Sequence, residues 1–293
     1  QIASILPGPY NFSGYRCRTW SSATNKPPIL PYRGVARTGV CFALETVIDM
    51  LARELGVEPY KMRVLNLPTP QQMPFKNITQ KRFDSGDYPE CVLRAAKAID
   101  VAAIRVRQDL GEKDGRKIGL GFSVFCEQAA HGTSVYHGWG IPMVPGFEQS
   151  TARLTPDGGL ELRVGVHSHG QSLETTLAQI AQHILGIDVE QIKVVHGDTA
   201  NTPYSTGTWG SRCAVMAGGA VAESCDELSV RVCKIGAHLL QTHPDKVSLF
   251  DGMVRSENSA ISIKDIAKTW YFAPQELSPH LAADALEVTK GHR

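Results

Sequence analysis

The chain has 293 residues, 42% hydrophobic and 20% charged, and 30 Lys+Arg against 29 Asp+Glu leave a formal net charge of +1. That balance lacks the basic field needed to hold a phosphate backbone, which argues against general nucleic-acid binding. No apolar run approaches the roughly 18 residues of a membrane helix, and the size suits one large or two smaller globular domains. The seven cysteines (17, 41, 91, 126, 213, 225, 233) are odd in number, scattered and without a C-x-x-C pair. They are expected to be mostly small buried hydrophobes in a reducing, cytoplasmic compartment, not a disulfide framework or a thiolate cluster site. No signal-peptide pattern opens the chain, and its start at Gln1 inside a turn-rich segment suggests a piece of a longer protein.

Residues 1–37, rich in Pro, Gly and Ser, read as irregular backbone with a short strand. Val40, Leu44, Val47, Ile48, Leu51 and Leu55 then repeat at helical spacing, with Thr38 as the expected N-cap, Gly56 past the end and an Asp49–Arg53 pair at i,i+4. A short helix follows with Pro59 in its first turn. Residues 68–84 read as a loop, and Asp84 to Asp87 precede an amphipathic helix carrying Cys91, Val92, Ala95, Ala96 and Ile99. Lys117 to Cys126 reads as a buried strand, and the aperiodic 129–146 stretch as a long loop and the seam between two halves.

Beyond the seam, alternation either side of Pro156-Asp157-Gly158-Gly159 predicts a β-hairpin. Gly170-Gln171-Ser172 opens a helix bearing Leu173, Leu177, Ile180, Ala181 and Ile184 and ending at Gly186, and Ile192 to Val195 reads as a strand. The Gly207–Ser211 loop leads into a long helix with Val221, Cys225, Leu228, Val232, Ile235 and Leu239 on one face. Strands and helices alternate without a strict βαβ rhythm, so the expected class is α+β: mixed sheets with packed helices in two layered halves.

Three segments place glycines and polar side chains where backbone feeds a helix: Tyr32-Arg33-Gly34-Val35-Ala36-Arg37, Gly165 to Ser172, and Gly207 to Cys213. Helix N-termini offer unpaired N–H groups, and glycine permits close approach, a combination suited to a large polar, anionic ligand. The run Pro31 to Glu45, continued by Asp49 and Ala52 to Gly56, resembles the Y/F-R-G loop and helix of the molybdenum-binding subunits of the xanthine dehydrogenase/aldehyde oxidase/carbon monoxide dehydrogenase family. Arg63-Val-Leu-Asn66-Leu67 resembles its R-x-x-N-L segment, and His169-Gly-Gln-Ser-Leu-Glu-Thr-Thr176 its G-Q-G-x-x-T element. Gly197-Asp198-Thr199, Pro203 and Gly207 to Arg212 resemble its next cofactor loop.

The resemblance implies a hydroxylase that oxidises an aldehyde or N-heteroaromatic substrate with water-derived oxygen. It also implies a molybdenum–pterin cofactor, in bacterial members the molybdopterin cytosine dinucleotide, with iron–sulfur clusters and FAD on partner subunits. By position, residues 1–145 would be the C-terminal part of a first cofactor-binding domain and 146–293 the N-terminal part of a second, within a larger subunit. Arg33 and Gly34 would border the metal centre, Gly170 and Gln171 would bind the pterin or its phosphates, and Thr208, Gly210, Ser211 and Arg212 would line the dinucleotide groove. Arginine suits phosphate as a bidentate fork, and successive N–H groups as an anion nest. Val35 would sit beside the substrate. Glu127 and Glu148 are the acids near the seam, and Glu127, with Phe122 and Ser123 on the same strand, is a candidate for the substrate pocket.

Departures from the family pattern also carry information. Ser172 replaces the second Gly of G-Q-G, and Gly34 stands where carbon monoxide dehydrogenases carry a copper-binding Cys, so copper chemistry is not expected. Nothing after Gly219 resembles the G-x-G-E element that bears the family's base, so the catalytic base is expected outside this chain. His167 and His169, two apart on a strand and so on one face, with His196 as a third ligand, leave a zinc-dependent hydrolase as an alternative. A non-catalytic remnant of the family is a second.

Overall fold

The computed structural model describes residues 2–28, 32–138, 140–283 and 285–292. It divides into two compact units, residues 1–127 and 128–293.

The first unit is helical. A single turn, α1 (Ile2–Ile5), is followed by irregular backbone in which no strand forms among the described residues. α2 (Arg37–Glu54) and α3 (Pro59–Asn66) pack together, then come α4 (Tyr88–Ala98) and α5 (Val101–Leu110). Between α3 and α4, the expected loop contains a 3-10 turn (Pro70–Gln72) and the two-residue strands β1 (Phe75–Lys76) and β2 (Arg82–Phe83). α4 starts as expected, with the Asp87 carboxylate accepting from Glu90 N–H at 2.9 Å.

Several expectations for this unit change. Ala36, in left-handed conformation, caps α2 without any side-chain bond, and Thr38 lies inside the first turn. The α2 stripe is buried at Val40, Ile48 and Ala52, whereas Val47, Leu51 and Leu55 are exposed. Asp49 engages not Arg53 but Arg63 of α3, at 2.7 Å. α5 was not signalled, because Asp100 is the only break between two helical runs. Residues 117–126 form no strand. They run extended, with Ile118, Leu120, Phe122 and Val124 half-buried, and their carbonyls are taken by side chains: Gln108 Nε2 donates to Ile118 O and Arg63 to Phe122 O. Among the described residues, no strand pairs with this segment to build a ladder.

A buried polar knot holds this unit. Arg63 is fully buried and uses all five of its N–H donors. Nε donates to Glu45 Oε2 (2.7 Å), and Nη1 to Asp49 Oδ1 (2.7 Å) and Pro59 O (3.0 Å). Nη2 donates to Glu45 O (3.2 Å) and Phe122 O (2.7 Å). The Tyr10 hydroxyl supplies the remaining Glu45 oxygen at 2.7 Å. Burial alone would lower the Arg63 pKa, but the Glu45 and Asp49 carboxylates outweigh it and raise it.

The second unit is a layered α/β body. After a short helix, α6 (Thr133–Gly138), inside the expected loop, come the hairpin β3 (Glu148–Leu154) and β4 (Leu160–Val164), then α7 (Leu173–Leu185) and β5 (Ile192–Val195). A π-helical turn (Cys213–Ala217) leads into α8 (Gly218–Leu239). Strands β6 (Ser248–Phe250), β7 (Met253–Arg255) and β8 (Ala260–Ser262) form a meander, followed by α9 (Ile263–Phe272), α10 (Pro279–Ala283) and β9 (Glu287–His292). The main sheet has the order β5-β4-β3-β9, with β4 and β5 parallel across α7 and the other pairs antiparallel, a mixed sheet with a single βαβ crossover, as the expected α+β class requires. Alternate residues Ala152, Leu154, Leu160, Leu162, Val164 and Val288 bury one face against the α7 and α8 stripes. The other face carries Arg153, Glu161 and Arg163 in ion pairs at 2.8–2.9 Å.

The cysteines are all free, but only Cys225 is buried, and Cys91 and Cys126 are exposed. Among the described residues, no helix is long and apolar enough to cross a membrane.

Exchanging Arg63 for Met should strand Glu45 as an unpaired buried carboxylate and lower the unfolding free energy by about 3–5 kcal/mol. Urea titration followed by circular dichroism measures this; an unchanged midpoint would refute the role given to the knot.

Candidate functional site

In the second unit the 165–172 and 207–213 segments meet. The Thr208 hydroxyl accepts from the His167 N–H at 2.6 Å and donates to the His167 carbonyl. Burial pushes the Cys213 thiol pKa up, and the neighbouring Thr208 and Gln171 oppose the rise. Gln171 also accepts the His169 N–H through Oε1. A Cβ at Gly165 would run into Ser205 and the Pro203 carbonyl, and one at Gly210 into the His131 ring. Both glycines therefore mark close packing between segments.

The backbone at these helix starts lies in the left-handed region. Gly170 (φ 88°) and Ser172 (φ 59°) precede α7, and Gly207 (φ 90°), Gly210 (φ 61°) and Ser211 (φ 55°) precede the π turn. Ser172 thus keeps the conformation that the missing glycine of G-Q-G would favour, at a steric cost. An added Cβ at Gly170 or Gly207 would meet nothing within 4 Å, so both backbones border open space.

Arg212 does not present its side chain to a groove. It is fully buried, paired through Nη1 with Glu148, itself fully buried, and donates to the carbonyls of Gly207 (2.9 Å) and Phe147 (3.2 Å). The Ser205 hydroxyl donates to the same Glu148 oxygen at 2.6 Å and accepts the Gly207 N–H at 2.8 Å. Burial pushes the Glu148 pKa up, and Ser205 and Arg212 resist the shift. Glu148, expected beside the seam as an acid, is instead the internal counter-ion of the loop.

His167 lies 5.7 Å from His169 and 5.5 Å from His196 between ring centroids, edge to face. The expected trio does assemble, but His196 Nε2 is occupied by Glu174 Oε1 at 2.8 Å. Among the described residues, no group of three or more His, Cys, Asp or Glu side chains is arranged to hold a metal ion. The donor geometry of the zinc alternative is therefore not met.

The remaining candidates lie in the first unit. Arg33 is exposed, and Gly34 (φ 80°), Val35 (φ 41°) and Ala36 (φ 68°) form three consecutive left-handed residues before α2. A β-branched residue at positive φ is strained. Residues 122–127 run along the first turns of α2: Glu127 Oε1 lies 3.8 Å from Arg37 Nε, and Ser123 Oγ 3.0 Å from Cys41 Sγ. Phe122 packs on Tyr60, with centroids 5.8 Å apart. Phe122, Ser123 and Glu127 are thus brought beside the helix that follows Val35, though from an extended segment and not from a strand.

The support beneath Trp209 has no signature in the sequence. Its ring stacks on Tyr136 at 4.9 Å and 21°, and Tyr136 packs edge-on against His131 at 6.0 Å. Nothing in the spacing of these residues announces the contact.

Family models for the molybdopterin cofactor-binding domain match residues 94–290 and, separately, residues 1–67. The chain belongs to the molybdopterin cofactor-binding domain family. It is 31% identical to the nicotine 6-hydroxylase large subunit of Paenarthrobacter nicotinovorans over 92% of this chain and 33% of that protein. It is also 31% identical to the carbon monoxide dehydrogenase large chain of Hydrogenophaga pseudoflava, over 95% and 36%. Quinoline 2-oxidoreductase from Pseudomonas putida 86 superposes with a TM-score of 0.84 at 30% identity, covering 99% of this chain and 37% of that one. The chain therefore spans about a third of the length of these relatives, as a fragment of the xanthine dehydrogenase, aldehyde oxidase and carbon monoxide dehydrogenase group.

Replacing Glu148 by Gln should destabilise the chain by about 3–5 kcal/mol, because Arg212 is left charged and unpaired. Replacing both, as Glu148→Leu with Arg212→Met, should cost far less than the sum of the single changes. Equal additivity in urea unfolding would overturn the pairing.

Proposed function

We propose that this chain is the molybdenum-cofactor-binding portion of a large subunit whose complete enzyme oxidises an aldehyde or N-heteroaromatic substrate with oxygen drawn from water. The observation that carries this reading is the convergence of the 165–172 and 207–213 loops in one unit of a molybdopterin-binding fold.

The residues present suit the cofactor. The open, left-handed backbone at Gly170 lets a ligand reach the peptide groups without meeting a side chain, and Gly207, whose own N–H and carbonyl are held by Ser205 and Arg212, leaves room for it beside the second loop. The donors gathered here are N–H groups, hydroxyls and a carboxamide, suited to phosphate oxygens and pterin heteroatoms. Nearby carboxylates are turned to other partners. Asp198 is held below its usual pKa by Asn201 and the Ala200 N–H, and Glu174 by its own backbone N–H and His196. When bound, the molybdenum–pterin group supplies the redox chemistry.

In this reading Gly170 and Gln171 hold the pterin or its phosphates, and Thr208, Gly210 and Ser211 border its dinucleotide tail, proposed to be cytosine dinucleotide. Arg212 acts one layer below, fixing the Gly207 carbonyl and thereby the loop. Arg33 and Gly34 border the metal, and Val35, Phe122, Ser123 and Glu127 border the substrate. Residues 1–145 would be the C-terminal part of the first cofactor-binding domain and 146–293 the N-terminal part of the second, a division that differs from the compact units, which meet at 127/128. Iron–sulfur and FAD subunits would carry electrons away, in the cytoplasm, and a Glu outside this chain would act as base.

Two measurements check the proposal. In the complete subunit, Gln171→Ala or Arg33→Ala should lower molybdenum and pterin content several-fold; unchanged metal content would remove that residue from the site. The 293-residue chain alone should show no turnover of aldehydes or N-heteroaromatics, and measured turnover would refute the placement of the base elsewhere.

A further inference from the structure

Trp209 stands between Thr208 and Gly210, and 41% of its surface is exposed. One ring face is covered by Tyr136, which is 1% exposed and nearly parallel to the indole. Behind Tyr136 lies His131, also buried, and the His131 ring is pressed against Gly210, so the two rings and the loop support each other. The Ala130 N–H donates to the Ser211 carbonyl at 3.2 Å, tying this layer to the same loop. Thr208, the preceding residue, is fixed on His167 by two hydrogen bonds. The indole is therefore a backed, pre-positioned surface and not a mobile side chain. Its loop is shared with the open backbone of Gly207.

We propose that the outer face of Trp209 is a stacking platform for a planar, electron-poor heteroaromatic ring, a role that rests on the molybdopterin reading only for the identity of that ring. Indole is the most electron-rich of the aromatic side chains, and offset stacking on a flat, electron-poor ring satisfies its quadrupole while removing apolar surface from water. A rigid platform loses little entropy when the ligand arrives. Two sources share this chemistry: the substrate ring and the pterin of the cofactor.

The test has two arms. The 293-residue chain is titrated with N-methylnicotinamide, a planar electron-poor probe, and tryptophan fluorescence is followed in the wild type and in Trp209→Leu and Trp209→Phe. Saturable quenching in the wild type should weaken roughly tenfold in the Leu variant and be partly kept by Phe. No saturable quenching in the wild type, or equal quenching in the Leu variant with its circular dichroism unchanged, would overturn the platform. In the complete subunit, a roughly tenfold rise in KM for an N-heteroaromatic at constant molybdenum content would assign the platform to substrate. Loss of pterin and molybdenum in Trp209→Leu would assign it to the cofactor. Neither change would overturn the proposal, whereas a wild-type subunit lacking molybdenum and pterin would refute the functional reading and leave the fluorescence arm to decide the platform.

Discussion

The ion pair between Arg212 and Glu148 is removed from water completely, and the geometry of the second unit's loops depends on it. Taking both charges out of solvent is costly, and the attraction between them repays that cost only with good geometry and satisfied neighbours. Here the neighbours are loop groups: the carbonyls of Gly207 and Phe147 and the hydroxyl of Ser205, which in turn accepts the Gly207 N–H. Arg212 Nε and Glu148 Oε2 have no hydrogen-bond partner among the described residues, so a shift of the loop that abandoned any of these bonds would strip further partners from the two ions. The pair therefore acts less as a source of stability than as a gauge that admits one loop position. The cost is visible in the raised Glu148 pKa.

Rigid anchoring below allows strain above. Ser172, Ser211, Val35 and Ala36 all hold left-handed backbone without being glycine, each at the start of a helix. Such conformations persist where surrounding contacts over-determine them. In the second unit those contacts are Gln171 on His169, Thr208 on His167 and the Arg212 bonds. Substituting serine for glycine narrows the unfolded chain's freedom while keeping the native turn, so the two effects on stability oppose one another.

Local pattern was enough for the middle of the second unit, though not for α6 or for the elements beyond α8. The β3–β4 hairpin, α7 and the α8 stripe follow from alternation, helical spacing and their bounding glycines, and their core assembles as those patterns require. The first unit was less legible for a physical reason. Its extended 117–126 segment has the apolar alternation of a strand, yet its carbonyls are bonded by Gln108 and Arg63, and side-chain partners leave no trace in periodicity. The meeting of the 165–172 and 207–213 loops was expected from a family resemblance and not from their spacing. The roles within them were not: Arg212 has the chemistry of a phosphate ligand, and only its burial beside Glu148 shows where its donors are spent.

The Arg63 knot explains how a unit with a small apolar core can still place residues beside α2. Its buried cluster comprises Tyr10, Ile48, Ala52, Met62, Leu67 and Val92, while Phe42, Val47, Met50 and Leu55 on the same helix remain exposed. A core of that size does little to discriminate among alternative packings, since hydrophobic burial has no direction. A guanidinium does discriminate: its donors are fixed in a planar fork, and each must find an acceptor when buried. Arg63 finds them on α2, at the start of α3 and on the 117–126 segment, and Tyr10 closes the far side of Glu45. Because Phe122 O is one of those acceptors, the same interaction that orders the helices sets where Ser123 and Glu127 meet Cys41 and Arg37. A lysine at position 63 would keep the charge and lose the fork. The helices would then retain an ion pair, but the Phe122 carbonyl would lose its guanidinium donor, and the extended segment would be held only by contacts such as Gln108 on Ile118 O and Ser123 on Cys41.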